Sequence, residues 1–154
     1  MNDMHQSIHK TLDQIRAGKA WAFVKVAKKQ FKKQEEYDKY VSLVKKFPAI
    51  INNNGLGQAL AFIFSKAKKT SNPEGLLFAQ LQEWLIDNQD GALKPYVPPY
   101  PRKNSHESPD DYLLQCIMKH NSSFYLHATH ESMSILDKMR NFASGLSDSP
   151  KKEE

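Results

Sequence analysis

The spacing of the apolar residues is the feature that most constrains the fold of this chain. In the segments between proline and glycine breakers, apolar side chains recur every three or four positions, which places them on one face of a helix. No pair of alternating runs joined by a two-residue turn is present, so no β-hairpin is predicted. The pattern therefore predicts an all-α protein, a compact bundle of about six helices.

The breakers set the bounds of the predicted helices, which cover about residues 3–33, 35–46, 56–69, 73–88, 109–120 and 122–144. The second helix is expected to end before Pro48, because the residue that precedes a proline resists helical backbone angles. A short helical turn is then predicted from Ala49 to Asn53. Asn54 and Gly55 close it, since both residue types tolerate left-handed backbone angles.

The first helix has an apolar face that one lysine interrupts. Its predicted inward side chains are Ile8, Leu12, Ile15, Ala22, Val26 and Ala27, with Phe23 and Phe31 beside them. Lys19 falls where this seam requires an apolar residue, so either the seam is interrupted there or the helix turns a different face to its neighbour. In the third helix, Leu56, Leu60 and Phe64 are the predicted core residues.

The length of 154 residues is typical of one domain, and residues 1–146 are predicted to form it. Five prolines between residues 90 and 109 predict a loop, and the polar residues 147–154 predict a disordered tail. A lone cysteine cannot form an internal disulfide, which suits a reducing, cytoplasmic location. The longest apolar runs are much shorter than the roughly 20 residues that span a bilayer, so no membrane association is expected.

Charge is distributed unequally along the chain. Residues 1–69 contain 14 basic and 5 acidic side chains, a net charge of +9, whereas residues 70–154 contain 8 basic and 12 acidic side chains, a net charge of −4. A strongly basic half attracts polyanions, of which nucleic acid is the commonest, although lysines also solvate helix surfaces in proteins that bind none.

Two groups of lysines are the candidate RNA-binding residues. Lys25, Lys28, Lys29 and Lys32 have the spacing of a stripe along one side of the first helix. The second group flanks the segment from Pro48 to Phe64 and consists of Lys45, Lys46, Lys66, Lys68 and Lys69. Neither group is interleaved with aromatic residues, which favours contact with the phosphate backbone over stacking on bases.

No catalytic set is predicted. His127 and His130 are three residues apart but do not form a zinc-protease motif, and a third metal ligand is not evident. Cys116 lies in an apolar helix one turn before His120, where a thiol is usually inert. Gly-rich phosphate-binding motifs are also missing. We therefore predict no catalytic residue, no metal and no cofactor.

One ordered block resembles a known family. After a basic first helix and a helix that ends in a proline comes the order Ile, polar residues, Asn-Gly-Leu, Leu-Ala-Phe and Ser-Lys. Its members here are Ile51, Asn54, Gly55, Leu56, Leu60, Ala61, Phe62, Ser65 and Lys66, preceded by the small and aromatic residues Ala17, Ala20, Trp21 and Ala22, which the resemblance places in the core. Over about residues 10–146 the chain resembles the small helical subunit of the type III-B CRISPR effector, the RNA-targeting Cmr complex.

The resemblance implies a non-catalytic role inside a ribonucleoprotein. Copies of this subunit stack head to tail beside the guide-bound backbone of the complex and support pairing between guide RNA and target RNA in antiviral defence. The implied partners are the other subunits of the complex, both RNAs and further copies of the chain. A rigid surface with distributed positive charge and no site for chemistry is consistent with that role.

Two alternatives remain open from the sequence. A double-stranded DNA-binding helix-turn-helix protein is suggested by the segment from Pro48 to Leu56, which is predicted to turn between two helices. Against it, the helix after Gly55 offers Gln58 and then apolar residues instead of the Arg, Asn and Gln that read base edges. A helical ribonuclease is the other alternative, and it lacks an acid, base and nucleophile set.

Overall fold

The computed structural model describes residues 11–86 and 111–147, and these two ranges fold into helices with no strand among them. The six helices are α1 (Leu12–Gln30), α2 (Gln34–Asn54), α3 (Leu56–Lys66), α4 (Pro73–Ile86), α5 (Tyr112–Lys119) and α6 (Ser122–Gly145). Their buried apolar side chains form one cluster, to which every helix contributes. The prediction of an all-α bundle of about six helices is confirmed.

Helix α1 begins later than predicted, because Thr11 is its N-cap. The Thr11 backbone is extended, its hydroxyl accepts a hydrogen bond from the Gln14 backbone N–H, and the Gln14 side chain accepts one from the Thr11 N–H. This reciprocal capping box satisfies two backbone donors that have no partner within the helix. The predicted start at Asp3 and the inward Ile8 lie outside the described residues.

The predicted inward face of α1 is only partly correct: Ala27 is buried, as are Phe23 and Phe31 beside it, but four other predicted residues are exposed. Leu12, Ile15 and Val26 are exposed, as is Ala22, and so is Trp21, which the family resemblance placed in the core. The face that packs inward carries Ala20, Phe23, Val24 and Ala27, followed by the buried Phe31. The small Ala20 and Ala27 let neighbouring helices approach closely, so the buried face is not the one with the largest aliphatic side chains.

A bidentate ion pair helps to select this face of α1. The Arg16 guanidinium donates to both carboxylate oxygens of Glu131 on α6, at 2.8 Å and 2.7 Å. Glu131 is buried, and leaving its carboxylate unpaired would cost several kcal/mol, about 3 or more. The hydrogen bond to Glu131 raises the pKa of Arg16, so the guanidinium stays charged. Rotating α1 to bury Leu12 and Ile15 would break this pair.

Helix α2 runs through Pro48, which corrects the predicted break and short turn. Pro48 lies inside the helix, and Phe47 and Ile51 on either side of it are buried. A proline inside a helix costs about 3 kcal/mol, whereas full burial of a large apolar side chain contributes roughly 1.5–3 kcal/mol. Burial of these two side chains therefore outweighs the cost of the proline. The turn that suggested a helix-turn-helix protein does not exist, since Gly55 alone separates α2 from α3.

Gly55 forms the corner between α2 and α3. Its φ of 84° confirms the predicted need for positive φ, and its ψ of 159° lies in a region that is essentially restricted to glycine. Tyr125 of α6 lies against this corner, where its hydroxyl accepts a hydrogen bond of 3.0 Å from the Gly57 N–H. The start of α6 thus packs beside the start of α3.

Buried polar side chains join the helices through the core. The Tyr40 hydroxyl donates to Gln80 Oε1 at 2.6 Å, and Gln80 Nε2 donates to the Phe23 carbonyl at 2.9 Å, so α2, α4 and α1 are linked. Burial raises the pKa of Tyr40, which keeps its phenol protonated. The Tyr37 hydroxyl donates to the Ala143 carbonyl at 3.0 Å, which places the start of α2 beside the end of α6.

The core residues predicted for the third helix are largely correct. Leu56 and Leu60 are fully buried, but Phe64 is only half-buried and packs against Phe78 of α4 with ring centroids 5.2 Å apart. Helix α3 ends at Lys66, three residues before the predicted end, because the chain turns there towards α4. The proline-rich loop at 90–109 and residues 148–154 of the predicted tail lie outside the described residues.

Candidate nucleic-acid interface

The bundle has two ends of different chemistry. Helix α2 is 21 residues long, about 30 Å, and starts near the end of α6 and finishes near the start of α6. One end, here called the corner end, contains Gly55 and the α5–α6 connection. The other end, here called the basic end, contains the end of α1, the start of α2 and the turn at residues 67–72 between α3 and α4.

A hydrogen bond joins the two lysine-bearing segments of the basic end. Gln30, the last residue of α1, donates its side-chain amide to the Thr70 carbonyl in the 67–72 turn. The lysines at the end of α1 and those of the turn therefore lie on adjoining backbone segments, although 40 residues separate Gln30 from Thr70. Sequence alone had assigned these lysines to two separate groups.

Asn72 fixes the shape of the 67–72 turn. Its Oδ1 accepts hydrogen bonds from the Lys68 and Gly75 backbone N–H groups, and its Nδ2 donates to the Lys66 carbonyl at 2.8 Å. Lys69 has a φ of 51°. Its carbonyl oxygen lies so close to Gly75 that a Cβ on Gly75 would be only 1.7 Å from that oxygen. The absence of a side chain at Gly75 is what permits this tight turn, and the turn presents Lys68 and Lys69 to solvent.

The predicted stripe on α1 is partly correct. Lys25, Lys28 and Lys29 lie on the helix, but Lys32 lies beyond its end at Gln30, in the connection to α2. Lys28 is half-buried, with its Nζ 4.6 Å from the ring centroid of Tyr37. The stripe is therefore three helical lysines followed by one in the connection. Lys33, which was not selected from the sequence, is exposed in the same connection, and its adjacency to Lys32 was the available signal.

The second group of lysines is divided by the fold. Lys66, Lys68 and Lys69 are exposed at the basic end. Lys45 and Lys46 are exposed on α2, eleven and twelve residues after its start at Gln34, or about 16–18 Å along the helix. The structure thus gathers most of the candidates at one end and leaves Lys45 and Lys46 on the side of the bundle.

Most of the cations elsewhere in the described ranges are paired with carboxylates. Asp13 accepts from Lys138 at 2.9 Å, an interaction that lowers the pKa of Asp13, and Lys19 Nζ lies 3.9 Å from Glu83 Oε2. In contrast, no described carboxylate forms an ion pair with Lys25, Lys29, Lys32, Lys45, Lys46, Lys66, Lys68 or Lys69. Their positive charge is available to an external anion.

Two exposed aromatic rings accompany these lysines, contrary to the expectation from sequence. Lys25 Nζ lies 5.6 Å from the ring centroid of Trp21, and Lys66 Nζ lies 4.4 Å from that of Phe62. Each lysine is four residues after its ring, a spacing visible in the sequence. The exposure of the rings could not be read from the sequence, because both residues fall among apolar neighbours.

The residues considered for chemistry are Cys116, His120, His127 and His130. Burial raises the pKa of the Cys116 thiol, which disfavours the reactive thiolate. Within residues 11–86 and 111–147, no three His, Cys, Asp or Glu side chains come together as a metal-binding set. Those same ranges contain no helix with the length and apolar character that crossing a membrane requires.

The fold and the distribution of charge define a small all-α protein with a basic end. A family model supplies the particular assignment: the family described as CRISPR-associated protein (Cas_Cmr5) matches residues 12–146. The chain therefore belongs to the Cas_Cmr5 family, the small subunit of the type III-B Cmr CRISPR complex. The resemblance carried by the block from Ile51 to Lys66 is confirmed.

Proposed function

We propose that this subunit is non-catalytic and supports the pairing of guide RNA with target RNA by binding RNA phosphates through its exposed lysines. The observation that carries the proposal is the Gln30–Thr70 hydrogen bond, which unites the lysines after α1 with those of the 67–72 turn. Family membership supplies the ribonucleoprotein context. Phosphate contacts position a protein on RNA without reading its sequence, which suits a subunit that must accept any guide.

Electrostatics favours a polyanion at this surface. Lys29, Lys32, Lys66, Lys68 and Lys69 at the basic end form no ion pair with a described carboxylate, and like charges at this density repel one another. An RNA backbone alongside would relieve that repulsion and release its own counterions. Lys45 and Lys46 extend the positive surface along α2, so the RNA path would run from the basic end along the side of the bundle.

Head-to-tail stacking is the second part of the proposal. The exposed apolar side chains of Met118 and Leu126 lie at the corner end, next to residues that contact Gly57. The two ends of the bundle therefore differ in chemistry, and head-to-tail contacts between unlike surfaces build open filaments when the rotation between copies does not close a ring. The partners in this arrangement are further copies of the chain and the larger subunits of the complex.

Replacement of Lys45, Lys46, Lys66 and Lys69 by alanine tests the RNA contact. If each lysine neutralises one phosphate, the variant should bind single-stranded RNA more weakly, and the loss of affinity should be about the same for RNAs of unrelated sequence. The slope of log affinity against log salt should become flatter by roughly 3, at about 0.7 per phosphate. Fluorescence anisotropy across a salt titration measures both quantities, and circular dichroism checks that the variant is folded.

A companion variant replaces Lys25, Lys28, Lys29 and Lys32 with alanine, which removes the other group of proposed RNA-binding lysines. Loss of binding in this variant alone would move the RNA path onto α1. If neither variant changes affinity or salt slope, the lysines do not contact RNA and the proposal of direct RNA support fails. The non-catalytic part is tested separately: RNA cleavage by the purified chain that disappears on substitution of His127 or Cys116 would contradict it.

A further inference from the structure

We propose that Trp21 and Phe62 are stacking platforms for RNA bases, and that Lys25 and Lys66 bind the adjoining phosphates. This inference deepens the proposed RNA contact and rests on it. Phosphate contact needs only positive charge, whereas stacking adds a ring whose face a base can cover. The two aromatic–lysine pairs supply both elements within one helical turn.

The exposure of the two rings is the first observation. Trp21 is 44% exposed and Phe62 is 41% exposed. Every other Phe, Tyr or Trp in the described ranges is buried or half-buried. Phe62 belongs to the block that carries the family resemblance, and its companions Ala61, Ser65 and Lys66 are exposed as well, so packing of the core does not require them.

The shared arrangement with lysine is the second observation. Both exposed rings have a lysine four residues later, and in both the ammonium group lies over the ring, at 5.6 Å for Trp21 and 4.4 Å for Phe62. An ammonium over a ring face is attracted by about 0.5–1 kcal/mol at an exposed site, so a flexible lysine can move aside to a phosphate at low cost. The ring face then becomes available to a base.

The orientation of Trp21 is fixed by the bundle. Its indole packs edge to face with Phe142 of α6, with centroids 5.3 Å apart and planes at 79°. A ring that is held in place loses little conformational entropy when a base stacks on it. The platform is therefore already formed before RNA binds.

The charge on the helices that carry the rings indicates which kind of ligand binds there. Helix α3 contains no acidic residue, and the only one in α1 is Asp13, about two turns before Trp21 and already paired with Lys138. Neither platform thus has an unpaired carboxylate on its own helix. A single-stranded nucleotide matches this combination, because it carries a flat aromatic base and a negative phosphate on one flexible unit.

Two oligomers of equal charge separate stacking from phosphate contact: a 12-nucleotide oligouridine and a 12-unit abasic ribose-phosphate chain. Trp21→Leu and Phe62→Leu, made in the full-length chain, keep apolar bulk but remove the ring. Each should weaken oligouridine binding about 5- to 100-fold, leave abasic binding unchanged and leave the salt slope unchanged. Trp21→Phe and Phe62→Tyr should retain most of the affinity, and Val26→Ala, which shortens another exposed apolar side chain of α1, should have no effect.

Tryptophan fluorescence supplies an independent readout. Trp84 is fully buried, so quenching by oligouridine but not by the abasic chain reports on a base stacked at Trp21. Stacking is wrong and phosphate contact stands if the leucine variants bind both oligomers more weakly by the same factor. The same conclusion follows if the leucine variants bind oligouridine normally while the lysine variants do not. Leucine variants that fail only to assemble with the larger subunits would show that protein covers the rings, which also overturns the inference. Failure of the unsubstituted chain to bind either oligomer contradicts the proposed function itself.

Discussion

Replacing Gly55 with alanine should destabilise the bundle, because the corner between α2 and α3 requires backbone angles that a side chain resists. At a φ of 84° and a ψ of 159°, a residue with a Cβ is strained by about 1–3 kcal/mol. The new Cβ would also lie 2.9 Å from the Tyr125 hydroxyl. Displacing that hydroxyl weakens the hydrogen bond from the Gly57 N–H, at about 0.5–1.5 kcal/mol.

The two contributions together predict a loss of about 1.5–4.5 kcal/mol in the free energy of unfolding. For a chain of this length, the melting temperature should fall by roughly 3–18 °C. Urea unfolding followed by circular dichroism at 222 nm measures the free energy, provided that the urea dependence is the same for variant and parent. The second variant, Tyr125→Phe, removes the hydroxyl, so Gly55→Ala made in that background should retain only the backbone strain.

Gly57→Ala is the matched control, two residues further along the same corner. A Cβ at Gly57 would meet its nearest neighbours, in Ile117 and Tyr125, at 3.5 Å and 3.7 Å, which is ordinary van der Waals contact. Alanine also favours the helix over glycine by up to about 1 kcal/mol, so this variant should be neutral or slightly more stable. If Gly55→Ala costs no more than Gly57→Ala, the proposed backbone strain at the corner is refuted.

Three further predictions concern other parts of the bundle. Gly75→Ala should cost at least about 2 kcal/mol, because its Cβ would collide with the Lys69 carbonyl at 1.7 Å; an unchanged urea midpoint would contradict the tight turn. Arg16→Ala should cost about 3 kcal/mol by leaving the Glu131 carboxylate buried and unpaired, whereas Arg16→Met combined with Glu131→Leu should recover most of that loss in the same assay. Cys116 should react slowly with a disulfide reagent at pH 8, because burial shields the thiol and raises its pKa; its rate should increase with urea in step with unfolding, and a native rate equal to that of a cysteine peptide would disprove this.

Local signals predicted the elements of the fold well. Tyr37, Tyr40, Val41 and Val44 recur at helical spacing in α2, and all four are buried. Asn121, a residue type favoured at helix N-caps, directly precedes α6, and its side chain accepts a hydrogen bond from the Phe124 N–H. Helical period and capping depend on residues a few positions apart, so a single sequence contains the information they need.

Long-range packing explains why α1 and α2 differ from their predictions. Pro48 was expected to end a helix, but burial of Phe47 and Ile51 against other elements outweighs the local penalty. On α1, the choice of buried face depends on Glu131, which is 115 residues away from Arg16. Nothing near Arg16 in the sequence identifies that partner, and the largest aliphatic residues suggested the wrong face.

The candidate interface divides in the same way. The basic first half, the lysine spacing and the block from Ile51 to Lys66 are properties of the sequence, and they determined the all-α class and the family. Only the tertiary structure decided that α1 ends beside the 67–72 turn, and that Trp21 and Phe62 are exposed under lysines. The physical reason is that composition and period are local properties. Which surfaces meet and which remain in solvent depends on contacts between helices that are distant in the chain.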